Sequence, residues 1–83
     1  MTLDILTPEK KIYSGNADAV SFPGTAGAFQ VLDHHAPLIS SLKAGKITVR
    51  NSKESLQFST KSGFVEVLNN KVTVLVEGAE PIE

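Results

Sequence analysis

The residues most able to do chemistry in this sequence stand together in the run Asp-His-His-Ala-Pro at 33–37. Asp33 and His35 could each bind a metal ion or move a proton. Neighbouring side chains of an extended chain point to opposite faces, so His34 and His35 could not readily share one ion, whereas Asp33 and His35 could. Zinc needs further ligands, and the other carboxylates lie in predicted turns or strands without ligand spacing. The sequence therefore predicts no metal site.

Nucleophilic and phosphate-binding chemistry have no better support. Serines are plentiful, but none stands in a nucleophile elbow, and the glycines expected of an oxyanion hole are missing. The glycine-rich segment 23–27 leads into Ala-Phe-Gln-Val-Leu, which is typical of a strand, whereas a phosphate-binding loop leads into a helix. We therefore predict no catalytic residue, no cofactor-binding residue and no small-molecule substrate.

Length and composition describe one small domain. The chain has 83 residues, of which 41% are hydrophobic, with a net charge of −1 and no cysteine. A chain of this length has room for one thin core, so we predict a single domain over residues 1–83. Its eight basic residues are scattered among nine acidic ones, which leaves no basic stripe for nucleic acid. No apolar run reaches the roughly 20 residues of a membrane helix, so we expect no direct membrane insertion.

Strands must position these residues, and the clearest strand pattern lies at 62–78. Two β-branched runs flank Asn69 and Asn70, and asparagine tolerates the positive φ that a two-residue hairpin turn requires. One face of this hairpin is valine, and the other is polar near the turn and apolar farther away, at Phe64 and Leu75. The predicted inward pairs are Val67 with Val72 and Val65 with Val74.

A second hairpin is predicted at 46–60, with its turn centred on Ser52 and Lys53. Its apolar pairs are Val49 with Leu56 and Ile47 with Phe58, and its polar pair is Thr48 with Gln57. Because both hairpins have one apolar face, packing the two faces together gives a β-sandwich.

The rest of the chain has shorter signals. Alternating runs around residues 3–5 and 19–22 predict two more strands, the second ended by Pro23. The segment 36–42 fits either a single helical turn from Pro37 or a strand, and 77–83 resembles a surface-clamped or frayed end. Six to eight strands can be identified in this way, which is typical of an all-β sandwich or barrel.

Five segments are notable for their order and spacing: 13–15, a glycine-rich loop, 35–38, 42–45 and 63–75. Together they resemble the N-terminal domain of the epsilon subunit of F-type ATP synthases, called delta in mitochondria. The resemblance implies a flattened β-sandwich of two antiparallel sheets with about ten short strands. Family members usually add a C-terminal helical hairpin, and this chain stops at Glu83, where that hairpin would begin, so no C-terminal helical domain is expected.

This resemblance also implies a function and its contacts. A bacterial member would be a non-catalytic rotor subunit in the central stalk, peripheral on the cytoplasmic face of the inner membrane. It would link the gamma subunit to the c-ring and couple proton transport to ATP synthesis. The region 25–37 is then expected to be a loop that meets the c-ring through Thr25, Ala26, Gly27, Ala28 and His35. The residues expected to contact gamma are Thr7, Ser40, Phe64 and Leu75.

Departures from the family pattern lie in the expected ring contact. Many members have acid-glycine-acid where this chain has Ala26, Gly27 and Ala28, and proline-glycine where it has Asp33 and His34.

Two other classes of protein remain as alternatives. A biotinyl or lipoyl carrier is also a small β domain, but it needs a modifiable lysine at a hairpin tip, and Lys71 follows the Asn-Asn turn instead. A cupin-like metalloenzyme needs spaced histidines on strands rather than an adjacent pair.

Overall fold

The computed structural model describes residues 1–82, and within that range the ordered elements are strands joined by turns. Short alternating runs of apolar and polar residues account for the ten strands, because each strand has one face in the core. They are β1 (Thr2–Leu6), β2 (Lys11–Asn16), β3 (Ala19–Gly24), β4 (Gly27–Leu32), β5 (Leu38–Leu42), β6 (Gly45–Arg50), β7 (Ser55–Thr60), β8 (Ser62–Leu68), β9 (Lys71–Glu77) and β10 (Glu80–Ile82).

The strands form two five-stranded layers in the orders β10-β7-β6-β3-β4 and β5-β8-β9-β1-β2. A single residue pair, Gly24 with Leu42, joins β3 to β5 and links the layers into one nearly closed sheet. The all-β sandwich is confirmed. One strand pair corrects the expectation of purely antiparallel sheets, because β1 runs parallel to β9. Strand β1 lies between β9 and β2 in the second layer. The chain crosses between the two layers before β9 pairs with β1.

Both predicted hairpins have the predicted register. Asn69 and Asn70 adopt φ values of 51° and 58°, which is the left-handed conformation that a type I′ turn needs. In the second hairpin, the Asn51 side-chain oxygen accepts hydrogen bonds from the backbone N–H groups of Lys53 and Glu54, at 2.9 and 3.0 Å. The observed pairs are Val67–Val72, Val65–Val74, Val49–Leu56, Ile47–Phe58 and Thr48–Gln57.

The core lies between the layers and consists mainly of branched aliphatic side chains. Burying such side chains is the main favourable contribution to folding in a domain without disulfides. The largest fully buried residues come from both layers and are Leu3, Ile5, Val20, Phe22, Val31, Ile47, Val49, Val65, Val67, Val72 and Val74.

In three segments the structure either corrects the sequence-based prediction or resolves an alternative that the sequence left open. Residues 38–42 form a strand and not a helical turn, because pairing with β8 satisfies their backbone groups. Pro23 does not end its strand, since β3 continues to Gly24 opposite Gly27. The tail forms β10, paired with β7 through residues 80–82, while Glu83 lies outside the described residues.

Candidate functional site

The first part of the expected ring contact is the tip of the β3–β4 hairpin. Thr25 and Ala26 form the turn, and they are exposed together with Gly27 and Ala28. Gly27 has a φ of 133°, a conformation that side-chain-bearing residues rarely adopt. The tip is tied to β5, because the Thr25 backbone N–H donates to the Ser41 carbonyl at 3.1 Å and the two hydroxyls are 2.7 Å apart.

The expectation that residues 25–37 form one loop is wrong. Strand β4 occupies the middle of this region and pairs with β3 over its full length. At a rise of about 3.3 Å per residue, the hairpin tip and the loop at 33–37 are separated by roughly 17 Å. The structure therefore brings Thr25, Ala26, Gly27 and Ala28 together, and places His35 beyond the opposite end of β4.

The outer edge of β4 connects these two places. Among the described strands, β4 pairs with β3 alone. Its sequence, Gly-Ala-Phe-Gln-Val-Leu, contains neither a charge nor a proline. Edge strand β2 begins at Lys11 and adjoins a register irregularity, and edge strand β10 contains Pro81. Charges, prolines and bulges discourage other chains from pairing with an edge strand, so β4 is less protected than β2 and β10. The fourth edge strand, β5, also lacks charge and proline, but it is joined to β3 at Gly24 and Leu42.

The loop at 33–37 is bent and held by hydrogen bonds. His34 has a φ of 62°, and its backbone N–H donates to the side-chain oxygen of Asn70 at 2.8 Å. The His35 backbone N–H donates to the Leu32 carbonyl at 3.2 Å. Because a carbonyl can only accept, His35 Nδ1 carries the proton in its 2.6 Å contact with the Ala36 oxygen. Residues 33–35 are therefore not in the extended conformation on which the prediction about a shared metal ion was based.

Asp33 bonds to the start of the chain and not to either histidine ring. Its carboxylate accepts a hydrogen bond from the α-ammonium group of Met1, which also donates to the Ala17 carbonyl at 3.1 Å. The Met1 ammonium, followed by the Asn70 side chain, lowers the pKa of Asp33 below its ordinary value. Within residues 1–82, no three histidine or acidic side chains are grouped as metal ligands. The loop is joined by hydrogen bonds to Met1, Leu32 and Asn70.

The expected gamma contact is a groove on the outer face of the second layer. Leu6, Thr7, Phe64 and Leu75 line it, and its volume is about 800 Å³. Leu75 pairs with Phe64 on one side and with Leu6 on the other, so the three apolar side chains form one row. Phe64 and Leu75 remain 61% and 54% exposed. The first layer does not cover this apolar patch.

Ser40 does not join this groove. It pairs with the buried Val65, and its half-buried hydroxyl donates to the Ser41 carbonyl at 3.1 Å. Its neighbour Ile39 faces outward instead and is 74% exposed. Sequence reasoning missed Ile39, although the alternation in Leu-Ile-Ser-Ser-Leu would have placed it on the outer face once 38–42 was read as a strand. No helix able to span a membrane occurs in the part of the chain that the structure describes.

Solved structures share this fold. One is a chain in the cryo-EM structure of the Euglena gracilis mitochondrial ATP synthase, OSCP/F1/c-ring, with a TM-score of 0.89 and 21% identity over 95% of this chain and 51% of that one. Another comes from the Tetrahymena thermophila mitochondrial ATP synthase central stalk and c-ring, with a TM-score of 0.83 and 16% identity over 96% of this chain and 65% of that one. At these identities the likeness establishes the fold alone.

Sequence comparison identifies the family. The ATP synthase epsilon chain of Thermosynechococcus vestitus is 40% identical over 80 residues, which are 96% of this chain and 58% of that protein. The epsilon chain of Chlorobaculum tepidum is 47% identical over 77 residues, or 92% of this chain and 88% of that protein. The chain spans about three fifths of other relatives, such as 60% of the Salinibacter ruber epsilon chain. Residues 1–82 match the model of the ATP synthase delta/epsilon chain β-sandwich domain, and the chain therefore belongs to that family.

Proposed function

We propose that this chain is a non-catalytic central-stalk subunit of a bacterial F-type ATP synthase. It links the gamma subunit to the c-ring and couples proton translocation to ATP synthesis, from a peripheral position on the cytoplasmic face of the inner membrane. The observation that carries this proposal is the family match over residues 1–82 together with epsilon-chain relatives at 40–47% identity. The alternative of a carrier module has no support, because Lys71 opens β9 opposite Leu68 and the turn contains two asparagines.

The proposed c-ring contact runs along the β4 edge, from the hairpin tip at 25–28 to His35. Both ends of this surface are tied to other strands, the tip through Ser41 and the loop through Asn70. A surface that transmits torque must resist bending, and a paired strand bonded at both ends does so better than a free loop. The unprotected backbone groups of β4 also offer hydrogen bonds to polar loops of a partner.

The proposed gamma contact is the outer groove, with Leu6, Phe64 and Leu75 at its centre and Ile39 on the same face. Exposed apolar groups in a row mark a protein-binding surface more reliably than scattered ones. Thr7 lies at the rim of the groove, and Ser40 belongs to the inward row of β5 and is removed from the proposed contact.

Reconstitution of an epsilon-depleted ATP synthase in inverted membrane vesicles tests the proposal. Adding the unmodified chain should restore ATP-driven proton pumping. The double variant Ala28→Arg with His35→Asp changes charge at both ends of the proposed ring contact. We expect it to pump less per ATP hydrolysed, with a deficit that depends on salt, because rim charges act through screened electrostatics.

A matched control carries the same charge changes on β7, three strands away from β4 in the first layer, as Gln57→Arg with Ser55→Asp. Both residues are exposed on β7. The control should pump like the unmodified chain. If the two double variants pump equally well at every salt concentration, the β4 edge is not the ring contact. If the unmodified chain restores no pumping, the proposed function itself is wrong.

A further inference from the structure

We propose that Asn70 is a positioning residue that fixes the loop at 33–37 and thereby sets the placement of His35. Asn70 belongs to the β8–β9 turn, far from this loop in sequence. A role of the His35 placement in coupling rests on the proposed function. Whether Asn70 holds the loop can be tested independently of that function.

Three segments of the chain meet at Asn70. Its side-chain oxygen accepts the His34 backbone N–H at 2.8 Å, across 36 residues of sequence. Its backbone carbonyl accepts the Thr2 N–H at 3.2 Å. Its side-chain amide lies close enough to Asp33 to contribute to the lowered pKa of that carboxyl, after the Met1 ammonium. One half-buried side chain thus joins the β8–β9 turn to the loop that precedes β5.

The other long-range restraint on the described loop is the contact between Asp33 and the Met1 ammonium group, which holds residue 33 and not His34 or His35. The two hydrogen bonds of His35 reach only Leu32 and Ala36, which are local. His34 adopts a φ of 62°, a conformation that a residue with a side chain enters only when its surroundings favour it. The hydrogen bond that reaches His34 from a distant part of the chain comes from Asn70, in the β8–β9 turn of the second layer. We infer that without it the loop relaxes and His35 loses its fixed position.

Asn69 provides a matched control for Asn70. It occupies the same turn, has a similar φ of 51° and is exposed. Within residues 1–82 the Asn69 side chain makes no hydrogen bond, whereas the Asn70 side chain holds His34. Glycine accepts positive φ at either position, so Asn69→Gly and Asn70→Gly both preserve the turn. The two variants differ in whether the loop loses its partner.

Amide hydrogen exchange followed by NMR on the 83-residue chain measures the proposed restraint directly. Asn70→Gly should speed exchange of the His34 amide at least tenfold and shift the His35 ring resonances, while Asn69→Gly changes neither. Unchanged His34 exchange in Asn70→Gly, or equal acceleration in both variants, would overturn the proposal.

A second variant guards against general loss of structure. The exchanged pair Asn70→Asp with Asp33→Asn keeps an acceptor for the His34 N–H and an amide beside it, so it should restore slow exchange relative to Asn70→Gly. Failure of this exchanged pair to restore protection, in a chain that remains folded by circular dichroism, counts against the proposed bond.

The vesicle assay then separates the positioning role from the proposed function. If His35 acts through its placement, Asn70→Gly should pump less per ATP than Asn69→Gly. Normal pumping by Asn70→Gly, when Ala28→Arg with His35→Asp pumps poorly, would refute the positioning role and leave the ring contact intact. Normal pumping by all of these variants would instead refute the ring contact, while hydrogen exchange alone still decides whether Asn70 holds the loop.

Discussion

Replacement of Val74 by alanine should destabilise the domain by about 2 to 3 kcal/mol. Val74 is 0% exposed and lies between Val65 on β8 and Ile5 on β1. The substitution removes two buried carbon atoms, worth about 0.8 kcal/mol each in transfer free energy. The cavity left between these two buried neighbours adds to this loss, because paired strands cannot collapse fully onto it.

Urea denaturation followed by far-ultraviolet circular dichroism measures this change. A domain of this length has a total unfolding free energy of about 4 to 12 kcal/mol, so the loss is a large fraction of it. The midpoint should fall by about 1 to 2 M with an unchanged m value. Val65→Ala should behave similarly, since Val65 is equally buried and faces Val74.

Leu75→Ala is the matched control, because it truncates the next residue of β9 on the opposite face. Leu75 is 54% exposed, so its truncation should cost less than about 1 kcal/mol. Gln57→Ala, on the polar face of the second hairpin, should cost less still. If Leu75→Ala destabilised the domain as much as Val74→Ala does, the assignment of the two faces of β9 would be wrong.

Two further predictions concern a glycine and a carboxylate. Gly63→Ala should destabilise the domain by roughly 1 to 3 kcal/mol in the same urea titration, because an added Cβ would collide with the Leu75 carbonyl and with Val76. Gly15→Ala should cost little stability, because its added Cβ would meet the Tyr13 side chain at ordinary or slightly short distances. The pKa of Asp33 is lowered by the Met1 ammonium and then by Asn70, with the charge of His34 also contributing. The stabilising effect of the Asp33 carboxylate is therefore complete above the ordinary carboxyl pKa and is lost as the pH falls through the lowered value. The urea midpoints of the unmodified chain and of Asp33→Asn should therefore differ at pH 7 and converge in strong acid, and a constant difference would exclude this linkage.

Local sequence signals predicted the hairpins well because their information lies within a few residues. Asn69 and Asn70 specify a turn geometry, and that turn determines the register of every valine pair beside it. The segment 38–42 was ambiguous for the opposite reason. A short apolar run fits a helical turn or a strand equally well, and only the neighbouring β8 decides between them.

Long-range relations left no comparable signal. No residue near β1 indicates that it pairs in parallel with β9. The family resemblance implies one loop over 25–37, whereas the residues 28–32 taken by themselves predict a strand. The family resemblance supplied the candidate contact residues, but it did not show that they stand at opposite ends of β4. The partnership of Asn70 with His34 likewise depends on the folded arrangement of two distant turns.

The parallel pairing of β1 with β9 has a consequence for synthesis of the protein on the ribosome. Residues 2–6 are translated first, yet their partner on β9 spans 71–75. Until that late segment leaves the exit tunnel, β1 has one unpaired edge, and Leu3 and Ile5 lack part of the core that buries them. The second layer therefore closes only after nearly the whole domain has been made. Such non-local pairing slows folding, so β1 completes its pairing later than strands that are adjacent in sequence.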